Sequence, residues 1–337
     1  MTNRAFITGL SGPRLSAQER DFLKDAAPWG LILFARNVED PDQVRALVDE
    51  ARAALGWRAP VLIDQEGGRV QRLGPPFWPK YPSAAPFGAL YARDEDAARR
   101  AVRLNSRALA ADLSDLGIDV DCLPVADLRL PEGHGIIGER AYGATPDQVA
   151  DLARAAAQGL LDGGVLPVVK HIPGHGRARV DSHEGLPVVE TPRAELEATD
   201  FAAFRPLNDL PLAMTAHVVY TAVDPHNPAT TSPTVISEVI RGHIGFAGLV
   251  MSDDLSMGAL AGGLAERGAA AIAAGCDMLL HCNGRMEEMV EVASVAPILS
   301  GPALERGDRA LALRTAAGAV DVAALRDDVG RLIGALA

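Results

Sequence analysis

Short apolar or β-branched runs alternate with longer amphipathic stretches along the chain. The runs that predict strands are 5–9, 30–34, 60–64, 119–124, 166–171, 212–217, 248–253 and 277–282. Several are apolar throughout, as expected for parallel strands buried on both faces. Between them, helical spacing of apolar residues predicts helices over 16–25, 41–55, 94–116, 145–161, 191–204, 232–244, 258–274 and 286–296. Two more are expected near 303–317 and 322–337. The fourth opens Thr145-Pro146-Asp147, a capping residue followed by Pro in the first turn. Alternation of this kind implies a parallel sheet. Eight repeats favour a closed (β/α)₈ TIM barrel over an open doubly wound sheet, and no GxGxxG follows the first strand. The expected fold is therefore α/β, one catalytic domain over residues 1–337, with the C-terminal helices packed on the barrel. Segment 69–94, rich in Pro and Gly, is expected to be a structured loop at one mouth.

Composition narrows the functional classes. Hydrophobic residues make up 48% of the chain, enough for a large core, yet no stretch approaches the ~20 apolar residues of a membrane helix. Residues 1–10 read as a first strand rather than a signal peptide, so a cytoplasmic protein is expected. Three cysteines without a CxxC pair argue against a disulfide framework and against a structural zinc site. A net charge of −12 disfavours nucleic acid as a partner, because phosphate binding needs clustered Lys and Arg.

In such barrels the active site lies at the C-terminal ends of the strands. Here the third strand runs into Asp64-Gln-Glu-Gly-Gly-Arg-Val-Gln-Arg72, and the fourth ends in Pro124-Val-Ala-Asp127. The fifth ends in Lys170-His171-Ile-Pro-Gly-His175-Gly176 and the sixth in Thr215-Ala-His217. The seventh ends in Ser252-Asp253-Asp254 and the eighth in His281-Cys-Asn283. Unpaired buried charge is costly, so polar groups ending this many apolar strands point to one shared site.

The same residues carry a resemblance. Lys170-His171-Ile-Pro-Gly-His175-Gly176, Asp181-Ser182-His183 and Ser252-Asp253-Asp254-Leu-Ser256-Met257 resemble signatures of glycoside hydrolase family 3. The similarity is to its single-domain bacterial β-N-acetylglucosaminidase branch, the NagZ type. Asp64-Gln-Glu-Gly-Gly-Arg-Val and Ile137-Gly-Glu-Arg140 resemble two further blocks of that branch. The departures are Ile172, where the family usually has Phe, and Gly258, where it usually has Glu. Arg177 and Arg179 form a basic pair that no family role explains.

The resemblance implies a retaining exo-β-N-acetylhexosaminidase acting on small carbohydrates, muropeptide fragments among them, in cell-wall recycling. It implies Asp253 as nucleophile, with Asp254 the rival, and His183 paired to Asp181 as the acid/base on a mobile loop. A carboxylate suits the first role because it is ionised near neutral pH; an imidazole oriented by a carboxylate suits the second. Asp253 could instead be the N-cap of the next helix, although Asp254 or Ser256 would serve equally. His175, a rival acid, lies between two glycines and is assigned a backbone-shaping role. Asp64, Arg72, Arg140, Lys170 and His171 would hold the sugar: Asp64 accepts from hydroxyls, Lys170 and His171 donate to hydroxyls and to Asp64, and the arginines supply fixed donor forks. Asp127 and His217 would support them from the mouth.

No cofactor or metal is expected, and a monomer is. His171, His175 and His183 cluster in sequence, but a metal-dependent amidohydrolase would want His-x-His after the first strand, where Thr8-Gly9-Leu10-Ser11 stands. A phosphorylase and a non-enzymatic sugar-binding module compete with the hydrolase. The module would need neither Asp253 nor the Asp-x-His pair.

Overall fold

The computed structural model describes residues 3–334 apart from Glu132, His183 and Ala317. Eight parallel strands close a barrel: β1 Arg4–Gly9, β2 Pro28–Leu33, β3 Val61–Ile63, β4 Val120–Asp121, β5 Leu166–Ile172, β6 Leu212–Thr215, β7 Leu249–Asp254 and β8 Met278–His281. Each pairs with its neighbours in sequence, and β8 returns to β1 through Phe6 with Leu279 and Ile7 with Leu280. All eight lie within or across the predicted runs, because continuous apolar character is what a strand covered on both faces requires. Alternate residues fill the barrel interior, among them Ile7, Ile32, Leu62, Val120, Val168, Met214, Met251 and Leu280. The intervening positions, such as Leu31, Leu33, Val169, Ala213, Val250 and Leu279, pack outward under the helices.

Local chemistry fixes the helix ends. Ser16 and Glu19 form a reciprocal capping box at helix Ala17–Ala26. Asp40 accepts from the Gln43 N–H ahead of helix Pro41–Leu55, with Pro41 in the first turn. Thr145 is extended before helix Pro146–Asp162 but makes no side-chain cap bond. At the other end of the chain, helix Val322–Gly334 buries Val329, and Arg326 reaches Asp112 and the Tyr81 hydroxyl.

Three expectations need correction. The predicted loop 69–94 contains a helix, Ala84–Tyr91, in which Pro86 and Gly88 are helical. Close approach explains Gly88, since a Cβ there would stand 2.0 Å from the Tyr142 carbonyl oxygen. The predicted helix 191–204 divides into Arg193–Ala198 and a 3₁₀ turn, Phe201–Leu207. At the break the Thr199 hydroxyl donates to the Glu195 carbonyl at 2.7 Å, a local bond that competes with the helical ladder. The predicted helix 258–274 starts only at Leu264, because the Arg267 guanidinium gathers the carbonyls of Leu255, Met257 and Gly262 into a loop. Consequently neither Asp253, Asp254 nor Ser256 caps it.

Candidate active site

The strand ends open into a cavity of about 290 Å³. Asp64, Glu66, Arg72, Arg140, Lys170, His171, His175, Ser182, Asp253 and Asp254 supply its polar lining. Phe34, Met214, Met257, Leu280 and Cys282 are among the apolar groups beside them. Six of the eight expected catalytic and sugar-binding residues thus share one cavity. Asp181 is half-buried on the loop, its carbonyl accepting from the N–H groups of Glu184 and Gly185. His183 lies outside the described residues.

The third strand end is built as a hairpin, Gln65–Gly67 against Val70–Gln71. Gly67 turns it with φ +92°, and a Cβ there would stand 2.2 Å from the Pro82 carbonyl oxygen. The Gln65 carboxamide then folds the chain back, accepting from the Arg72 and Leu73 N–H groups at 2.9 and 3.0 Å. That return carries the Arg72 guanidinium to 2.8 Å from Asp64 and over the Phe34 ring.

Beside this pair lies Glu66, to which the sequence alone assigns no role. Glu66 is buried and accepts a bidentate bond from Arg140, 2.8 Å on each side, while Lys170 Nζ stands 2.7 Å away. The Lys170 ammonium also donates to Asp64 at 2.9 Å. Two carboxylates and three cations therefore form one network that joins the hairpin, the loop before Arg140 and β5. Burial alone would raise the pKa of Asp64, but Lys170 and Arg72 outweigh it and hold that carboxyl well below its usual range. Burial acts the same way on Glu66, and Arg140 and Lys170 bring it down to about 2. Lys170 is held protonated: burial disfavours its charge, and Asp64 and Glu66 reverse the effect. Asp121, one layer below, is pushed well above its usual value by burial.

His171 does not bond to Asp64 as expected. Its Nδ1 donates to Asp127 at 2.6 Å, so its orientation is set from beneath. Asp127 is fully buried rather than at the mouth, and also accepts from the His175 N–H at 2.6 Å. His175 is buried with Nε2 3.2 Å from the Ser182 hydroxyl; burial and then His171 lower its pKa to about 4, so it is neutral. His217 is likewise fully buried, donating from Nε2 to the Asp254 carbonyl at 3.0 Å, with Nδ1 against Thr230. Burial lowers its pKa, and both ring nitrogens are held in contacts within the fold.

The two carboxylates ending β7 differ sharply. Asp254 is tied down: it accepts from the Ser256 hydroxyl and N–H and from the Cys282 N–H, at 2.6, 3.1 and 3.1 Å. Asp253 lines the cavity and, among the described residues, forms no ion pair; it accepts only the Asp254 N–H, at 2.8 Å. Burial would raise its pKa, but His217, His171, that N–H and Lys170 together bring it below the ordinary value. The result is an ionised carboxylate with an oxygen free to face a ligand. No group of three His, Cys, Asp or Glu side chains among the described residues is arranged to hold a metal ion.

Comparison with known proteins agrees with this architecture. Residues 5–304 match the glycosyl hydrolase family 3 N-terminal domain. A beta-hexosaminidase of Alkalilimnicola ehrlichii is 45% identical over 286 residues, covering 82% of this chain and 80% of that protein. One from Bordetella avium is 39% identical over 306 residues, covering 89% and 86%. Among solved structures, NagZ from Neisseria gonorrhoeae in complex with N-trifluoroacetyl-D-glucosamine superposes with a TM-score of 0.87 at 34% identity, covering 99% of this chain and 98% of that one. A barrel with its polar groups gathered at the strand ends, matched over nearly its whole length, leaves one assignment: the chain is a glycosidase and belongs to glycosyl hydrolase family 3.

Proposed function

We propose that the enzyme is a retaining exo-β-N-acetylglucosaminidase with Asp253 as nucleophile and the Asp181–His183 pair as acid/base. The observation that carries the reading is the contrast among the cavity carboxylates. Asp64 and Glu66 are locked in ion pairs and Asp254 in hydrogen bonds, which leaves Asp253 as the ionised group with a free oxygen.

In the first step an Asp253 oxygen attacks C1 of the terminal sugar. The glycosidic C–O bond breaks, and the departing oxygen takes a proton from the His183 imidazolium. In the second, neutral His183 removes a proton from water as the water oxygen attacks C1, and the bond to Asp253 breaks. Asp64, Arg72, Arg140 and Lys170 hold the sugar hydroxyls through an array fixed before substrate arrives, so little reorganisation is needed. His171, oriented by Asp127, presents its second nitrogen to the cavity.

The preference for N-acetylglucosamine rests on the relatives. Muropeptide fragments as the natural substrate, a role in cell-wall recycling, action in the cytoplasm and a monomeric state belong to the same proposal and follow from the sequence motifs' resemblance alone. Among the described residues no helix is long and apolar enough to cross a membrane.

The test is Asp253→Ala assayed on 4-nitrophenyl N-acetyl-β-glucosaminide, with mass spectrometry of the wild type trapped on a slow fluorinated substrate. The variant is expected to lose at least about 1,000-fold in kcat, and the adduct to map to Asp253. An adduct on another side chain ends the proposal.

A further inference from the structure

The loop after β5 contains Arg177 and Arg179, which take no part in the chemistry above. Arg177 turns inward, its side chain 13% exposed. Its Nε donates to Asp200 at 2.7 Å and its Nη2 to the Thr199 hydroxyl at 3.2 Å, with Glu195 2.9 Å from Nη2. Asp200 itself is buried, 1% exposed, at the break between the two short helical segments. The same carboxylate-bearing residue backs the start of the loop: Gly174, at φ +139°, lies so close that a Cβ would stand 3.0 Å from Asp200 Cβ. The Tyr220 hydroxyl donates to the Gly174 carbonyl alongside.

Further along, the loop is held at its tip. The Ser182 hydroxyl meets His175 Nε2, and the Ser182 carbonyl accepts from the Ala259 N–H at 3.1 Å. The segment from Arg177 to Ser182, which carries Asp181, is therefore held by a charged clip at its root and two weaker contacts at Ser182. An exposed arginine would do little here. A guanidinium engaged with several oxygens from a shielded position fixes direction as well as distance.

We propose that Arg177 is a positioning residue for proton transfer: docked on Asp200, Thr199 and Glu195, it fixes the root of the loop in whose sequence Asp181 and His183 lie. The inference rests on the acid/base assignment above. Its physical basis is that a catalytic group displaced by about 1 Å can lose on the order of 100-fold in rate.

The experiment measures kcat/KM on aryl N-acetyl-β-glucosaminides, from 2,4-dinitrophenyl to unsubstituted phenyl, for wild type, Arg177→Ala, Arg177→Lys and His183→Ala. This ratio reports only steps up to departure of the phenol, and dinitrophenolate leaves without a proton. Arg177→Ala is expected to lose about 10–100-fold on the phenyl glycoside and little on the dinitrophenyl one. Arg177→Lys, which keeps the charge but not the fork, recovers part of the loss and tests the idea even if the alanine variant folds poorly. Inhibition by free N-acetylglucosamine stays at the wild-type constant. Equal losses across all leaving groups, or none, overturn the clip provided His183→Ala shows the dependence. If His183→Ala lacks it, the acid/base assignment falls and the clip falls with it.

Discussion

Replacing Glu66 with Gln keeps the size of the side chain and deletes its charge. Lys170 then keeps Asp64, while the largely buried Arg140 is left without an ion-pair partner among the described residues. The cost follows from linkage. The Glu66 carboxyl sits at about 2 in the folded protein against an ordinary value of 4.5. At about 1.4 kcal/mol per pKa unit, that difference makes Glu66 worth roughly 3 kcal/mol of stability at neutral pH. Loss of one partner from a buried ion pair costs about 3–5 kcal/mol, which agrees. Because the folded value is depressed, the contribution is fully present above 4.5 and is lost as pH falls towards 2. About a quarter should be gone by pH 4 and more than half by pH 3. Urea unfolding of wild type and Glu66→Gln at pH 7, 5 and 4 measures it, with the gap between them largest at pH 7 and narrowing on acidification. A gap below about 1 kcal/mol at pH 7, or one that does not change with pH, would refute the reasoning. The same variant should raise KM, since Arg140 loses the bidentate partner that aims it.

Two other outcomes are expected. Asp127→Asn removes the charge under His171 and sets an amide against three donors, so kcat/KM on the nitrophenyl substrate should fall about 100-fold with a modest loss of stability. Wild-type activity in that variant would show that His171 needs no orientation from below. Turnover should be independent of inorganic phosphate and release free N-acetylglucosamine, read by chromatography of the products; a phosphorylated sugar would establish a phosphorylase instead.

The chain alone determined the barrel and the address of its site. Apolar runs and helical spacing are local properties, so all eight strands were legible, and the barrel rule turned their polar C-terminal ends into a candidate site. Breaks in regular structure were less legible. The helix stops at Thr199 and starts late at Leu264 because of bonds made by Thr199 and Arg267, and nothing in the apolar period reports them. Pairing of charges was legible only in part: the Lys170–Asp64 pair was expected, the others were not. Glu66 finds Arg140 and Lys170, and His171 finds Asp127 rather than Asp64, across sequence separations that only the closed sheet brings together. The same applies to Asp253 and Asp254. They are identical side chains on consecutive residues of one strand, both lining the cavity, and their fates separate only when the fold brings Ser256 and Cys282 to Asp254 and leaves Asp253 without such partners.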